Sequence, residues 1–121
     1  MPADKAKPSL ATLPGMAKNL QTVARRALTP CAGDEAFRFA DGTSARDLAD
    51  LHHAVGAKTG HLVAHHRADY AAWVERTLGD PALARRIDRL ARRPLRDLEA
   101  FRGELQAVLT DRLGKLRQRV L

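Results

Sequence analysis

From Leu98 to Val120, apolar side chains recur at spacings of three and four: Leu98, Phe101, Leu105, Val108, Leu109, Leu113, Leu116 and Val120. That period belongs to an α-helix and not to a strand. It persists for more than three heptads and predicts a helix over roughly 95–119. Gly103 and Gly114 weaken that helix somewhat. A stripe of this length permits a coiled-coil contact with a second copy, or docking of a protein partner. The face that would do so comprises Leu98, Phe101, Leu105, Leu109, Leu113 and Leu116.

The rest of the chain is consistent with a mainly helical fold. Aromatic residues make up only 4% of its 121 residues, against 45% apolar in all, so the core must be built largely from Ala, Leu and Val. Ala, Leu and Arg are all good helix formers. A helix is predicted from Met16 to Leu28, ended by Thr29-Pro30. The one β signal is Phe37-Arg38-Phe39 followed by Asp41-Gly42, which predicts a two-stranded ribbon over about 36–44. Ser44, with Asp47 three residues on, resembles a capping box opening the next helix. Its inner face would be Leu48, Leu51, His52 and Val55, and Gly56 could terminate it.

Thr59 or Gly60 opens a helix expected to reach Leu78, with Leu62, His66, Tyr70, Trp73 and Thr77 at helical spacing. Gly79 suits a C-terminal cap. Asp80-Pro81 then supplies an N-cap followed by proline at the first helical position. Leu83, Ile87 and Leu90 should face inward on that helix until Pro94 breaks or kinks it. The expected fold is therefore mainly α: a small helical domain with one short β-hairpin and a long C-terminal amphipathic helix. It divides into a flexible basic tail at 1–15, an N-terminal helix at 16–30, a core at 31–93 and the last helix at 94–121.

Composition removes several classes of function. No stretch is long and apolar enough to span a membrane. The N-terminus lacks the apolar segment of a secretory signal. Cys31 is the only cysteine, which excludes an internal disulfide and a four-cysteine zinc site and fits a cytoplasmic location. There is no phosphate loop, nucleophile elbow or paired catalytic carboxylate, so no enzyme activity, catalytic residue or cofactor is expected. His61 and His65 lie four apart on one helical face, and Asp69 continues it. Those three could ligate Zn²⁺, but histidines at this spacing are more often packing or solvent-facing residues. His52 and His66 are expected to be half-buried, and Trp73 to anchor the core.

The net charge of +7 is unevenly spread. Residues 1–30 carry +4, residues 31–80 carry −3 and residues 81–121 carry +6. Six arginines fall within twelve positions: Arg85, Arg86, Arg89, Arg92, Arg93 and Arg96. On one uninterrupted helix, Arg85, Arg89, Arg92 and Arg96 would form a single stripe, which Pro94 threatens to divide. Arginine presents a planar fork of donors suited to phosphate or carboxylate. The expected partner is nucleic acid or another polyanion, met at its phosphates without reading of bases. Arg112, Lys115, Arg117 and Arg119 would make a second basic patch, and Lys5, Lys7, Lys18, Arg25 and Arg26 a mobile arm. The same run also fits arginines that merely decorate solvated helix faces. The competing expectation is a protein-interaction or scaffold module working through the C-terminal helix, as a homo-oligomer or with a partner.

The central stretch carries Phe37, Phe39, Gly42, Leu48, Leu51, His65 or His66, Asp69, Tyr70, Trp73, Gly79, Asp80, Leu83 and Ala84. In this order they resemble a small uncharacterised prokaryotic domain family, largely archaeal. Tyr70 stands where that family usually has Phe. The resemblance covers about residues 37–87. It implies a mixed hairpin-and-helix fold, no enzyme activity, and an appended module with a binding or adaptor role. It also implies that the arginine run lies just beyond the shared core, as a feature special to this chain.

Overall fold

The structure, a computed structural model, describes residues 19–120. The tail expected at 1–15 and the expected helix start at Met16 lie outside the described residues. Among the described residues the fold comprises six α-helices and one two-stranded antiparallel hairpin.

Helix α1 spans Leu20–Ala27 and buries Val23, Ala24 and Ala27. Asn19 caps it by accepting from the Thr22 N–H at 2.8 Å. Strands β1 (Phe37–Arg38) and β2 (Ser44–Ala45) pair in the register Phe37↔Ala45 and Arg38↔Ser44. Phe37 and Phe39 are buried and Arg38 is exposed, as period two requires. Gly42 sits at φ 90° in the connecting turn, a conformation that favours glycine. Asp41 ties the turn down: it accepts from the Thr43 N–H and hydroxyl and from Lys58 Nζ at 2.7 Å. Lys58, then Thr43, hold its carboxyl well below the usual carboxylate range.

Ser44 is not the helix cap expected of it. It is engaged in the hairpin, and α2 (Leu48–Ala57) is capped by Asp47, which accepts from the Asp50 N–H at 2.8 Å. Gly56 does not terminate α2, which continues to Ala57.

The single helix expected from Gly60 to Leu78 is interrupted. Helix α3 (Gly60–His65) starts at Thr59, whose hydroxyl accepts from the Leu62 N–H. The chain then tightens: the His66 and Arg67 N–H groups donate to the carbonyls three residues back. Helix resumes as α4 (Tyr70–Trp73) and widens into a π-turn over Val74–Leu78. Gly79 ends this run at φ 69°. Helix α5 (Pro81–Arg92) begins at Asp80, which accepts from the Leu83 N–H at 3.1 Å. It stops where Arg93 turns extended before Pro94. Helix α6 (Leu98–Gln118) is capped by Asp97, which accepts from the Glu99 and Ala100 N–H groups.

Helix α6 is the spine of the molecule, packed most extensively on α2 and α3 and also on α5 and α1. Phe101, Leu105, Leu109, Leu113 and Leu116 are all buried in one core shared with the other helices. This corrects the expectation of a free interaction face. The chain itself covers the stripe, each buried leucine contributing about 1.5–3 kcal/mol. Of the six residues named for that face, only Leu98 is exposed.

Four of the five aromatics, Phe37, Phe39, Tyr70 and Trp73, are gathered where hairpin meets helix. Phe37 stacks on Tyr70 at 5.0 Å and meets Trp73 edge-on at 5.6 Å. Tyr70 donates its hydroxyl to the Val63 carbonyl, and the Trp73 indole N–H donates to the Glu35 carbonyl. Trp73 is thus a core anchor that also pins the segment before β1.

Candidate polyanion-binding surface

Helix α5 exposes arginine because its apolar positions are used inward. Leu83, Ile87 and Leu90 are buried at spacings of four and three, which leaves Arg85, Arg89 and Arg92 on the exposed side. Arg86, Arg89, Arg92 and Arg93 line a groove of about 610 Å³ between α5 and α6. Leu90 and Val108 give this groove an apolar floor, and Glu104 lies on its α6 wall.

The four-residue stripe expected of Arg85, Arg89, Arg92 and Arg96 does not form. Helix α5 ends at Arg92, and Arg96 belongs to the extended link before α6. Arg96 instead borders an adjoining cavity of about 330 Å³ together with Arg93 and Arg67.

Half of the run is neutralised. Arg86 donates to Asp111 at 2.9 Å, Arg92 to Asp88 at 2.8 Å and Arg93 to Glu104 at 3.4 Å. The Arg86 hydrogen bond holds the Asp111 carboxyl below its ordinary value against desolvation, with help from Lys115. Among the described residues Arg85, Arg89 and Arg96 have no acidic partner within 4 Å. Solvent-exposed ion pairs contribute only about 0.2–1 kcal/mol, so the paired arginines can be recruited by a phosphate at small cost. Guanidinium–phosphate contacts are charge-assisted and often bidentate.

The second basic patch is smaller than its sequence implies. Arg112 is withdrawn from it: Nε and Nη2 each donate to the buried Asp80 carboxylate at 2.8 Å. Lys115, Arg117 and Arg119 remain exposed, with Lys115 beside Asp111. Arg26 is likewise spent, donating to the Arg76 and Thr77 carbonyls at the end of the π-turn. Lys5, Lys7 and Lys18 lie outside the described residues.

The histidine candidates are not assembled. Among the described residues no group of three or more His, Cys, Asp or Glu side chains is placed to hold a metal ion. His61 and His65 are exposed, and the break after α3 interrupts the face they would share with Asp69. Asp69 instead meets His66 Nδ1 at 3.3 Å. The Ala40 N–H donates to His66 Nε2 at 2.9 Å, so the ring proton sits on Nδ1 and points to Asp69. His66 is thereby a buried link between hairpin and helix. His52 bonds to the Thr110 hydroxyl at 2.8 Å. Burial pushes the Cys31 thiol up, away from the reactive thiolate.

Three functional or structural partners escaped the sequence: Arg67 on the second cavity, Arg112 on Asp80, and Glu99 accepting from the Gly60 N–H at 2.6 Å. Each pairing joins residues far apart in the chain, and no local motif marks it.

No helix among the described residues is long and apolar enough to cross a membrane. No curated protein and no solved structure matches the chain. A family model of unknown function, DUF5752, matches residues 38–120. That span runs past Ile87, where the resemblance was expected to stop. It takes in all of α5 and α6, so the arginine run lies inside the family's extent and not beyond it. Matched over well over half of its length, the chain belongs to the DUF5752 family of unknown function.

Proposed function

We propose that this chain is a non-enzymatic basic protein that binds nucleic acid along the phosphate backbone. Arg86, Arg89, Arg92 and Arg93 grip the strand across the α5–α6 groove, and Arg85 and Arg96 extend the contact at either side. The carrying observation is that four arginines line one groove that also has an apolar floor. Three further features support it. The net charge is +7, the C-terminal third holds +6 of it, and three arginines of the run meet no acid among the described residues. Neutralising phosphates releases counterions, so affinity arises without reading of bases. A lone half-buried thiol at Cys31 suits the reducing cytoplasm as the place of action.

The competing scaffold reading has less to stand on. Its docking face would be the apolar side of α6, and that side is already used in the core.

A mobility-shift assay tests the proposal, with duplex and single-stranded oligonucleotides at low and moderate salt. Both are retarded at low salt, retardation fades as salt rises, and Arg85→Glu/Arg89→Glu/Arg92→Glu abolishes it. Absence of any shift at low salt contradicts the reading.

A further inference from the structure

Arg67 lies in the turn between α3 and α4. Its Nη1 is buried and meets no hydrogen-bond acceptor among the described residues. It takes part in none of the ion pairs found there. A guanidinium cannot shed its proton at physiological pH, so this charge is permanent. A buried cationic donor without an acceptor is costly, and folded proteins rarely keep one without a use.

The surroundings indicate what that use is. Arg67 lines the cavity of about 330 Å³ beside the end of α5 and the first turn of α6. Arg93 and Arg96 line it as well, while Leu95, Ala100 and Phe101 supply apolar wall. Two carboxylates border the same space, and both are engaged. Asp97 accepts from the Glu99 and Ala100 N–H groups, and Glu104 accepts from Arg93. Three arginines and two carboxylates border the space; Arg93 and Glu104 offset each other, and Arg67 and Arg96 against Asp97 leave a net surplus of positive charge beside apolar walls. A volume of this order is that of a small-molecule site.

We propose that this cavity binds a small oxyanion, a carboxylate or phosphate carried on a short apolar body. Arg67 is its anchor, Arg93 and Arg96 are flanking donors, and the Phe101 wall receives the apolar part. The cavity shares Arg93 with the neighbouring groove, but its anchor, Arg67, lies outside that groove, so an anion titration on Arg67→Gln and a nucleic-acid shift test the two sites separately.

The test is a titration of the full chain followed by amide NMR shifts, in a buffer free of carboxylate and phosphate. The probes are benzoate, inorganic phosphate and the neutral benzyl alcohol. Either anion produces saturable shifts centred on Arg67, Ala100 and Phe101, and the tighter of the two identifies the head group. Benzyl alcohol produces none. Arg67→Gln weakens the anion by roughly tenfold or more, the scale of one charge-assisted hydrogen bond. Saturable shifts from neither anion, or equal binding by Arg67→Gln, overturns the site. Thermal unfolding without added anion gives a second readout. Because Nη1 has no partner to lose, Arg67→Gln melts at or above the wild-type temperature. A clear drop would make Arg67 a structural residue and overturn the proposal.

Discussion

Arg112 grips Asp80 at two points, Nε to Oδ2 and Nη2 to Oδ1, both at 2.8 Å. Asp80 is fully buried, and its Oδ1 also caps α5 through the Leu83 N–H. One carboxylate thus starts α5 and fastens that start to α6. The same contact joins the two helices that wall the arginine groove.

Removing one partner of a buried ion pair strands the other charge, at a cost of about 3–5 kcal/mol. Arg112→Met should lower unfolding free energy by that amount in urea titration. Asp80→Asn keeps an oxygen for the cap and removes the charge, so adding it to Arg112→Met should cost much less than in the wild type. A loss below about 1 kcal/mol for Arg112→Met would show that the grip is incidental.

Glycines separate by what a Cβ would meet. At Gly60 it would lie 2.6 Å from the Leu98 carbonyl oxygen, a backbone atom that cannot step aside alone. Gly60→Ala should therefore destabilise by about 1–3 kcal/mol through overpacking. At Gly103, inside α6, a Cβ would meet nothing within 4 Å. Gly103→Ala should stabilise by about 0.5–1 kcal/mol. Thermal unfolding of the two variants should move in opposite directions, and a shared sign would contradict the packing of α3 on α6.

Burial pushes the Tyr70 phenol above its ordinary value, and the Asp69 charge adds to this. An acid whose folded value is raised binds its proton more tightly in the native state. Stability from this group is therefore intact below the unfolded value of about 10 and falls as pH rises beyond it. Tyr70→Phe loses the bond to the Val63 carbonyl, costing about 0.5–1.5 kcal/mol at neutral pH. Its alkaline decline between about pH 10 and 11.5 should be shallower than that of the wild type. Parallel curves would show that Tyr70 does not titrate with unfolding.

What could be read from the residues was what local chemistry decides. Asp80-Pro81, Gly79, Thr59 and Pro94 each mark a boundary through their own backbone or side chain, and all four act as expected. The α6 stripe was legible as a helix, but periodicity does not say what covers it. Ser44 reads as the cap of α2, but its strand pairing with Arg38 holds it in the hairpin and leaves the cap to Asp47. The apolar spacing from Leu62 to Thr77 concealed the break at 66–69, where His66 is drawn to the Ala40 N–H of the hairpin. Charge was the least legible property. Arg26, Arg67 and Arg112 look alike as letters, yet one closes a helix end, one has a buried nitrogen without an acceptor among the described residues and one is an internal counter-ion.

The central claim is best tested by fluorescence anisotropy of a labelled duplex across a range of salt. With three to six arginines on phosphates, log affinity should fall linearly against log salt with a slope of about −3 to −5. Arg85→Ala and Arg89→Ala should each flatten that slope by about 1. Absence of binding at low salt, or a slope that these substitutions leave unchanged, would contradict the account.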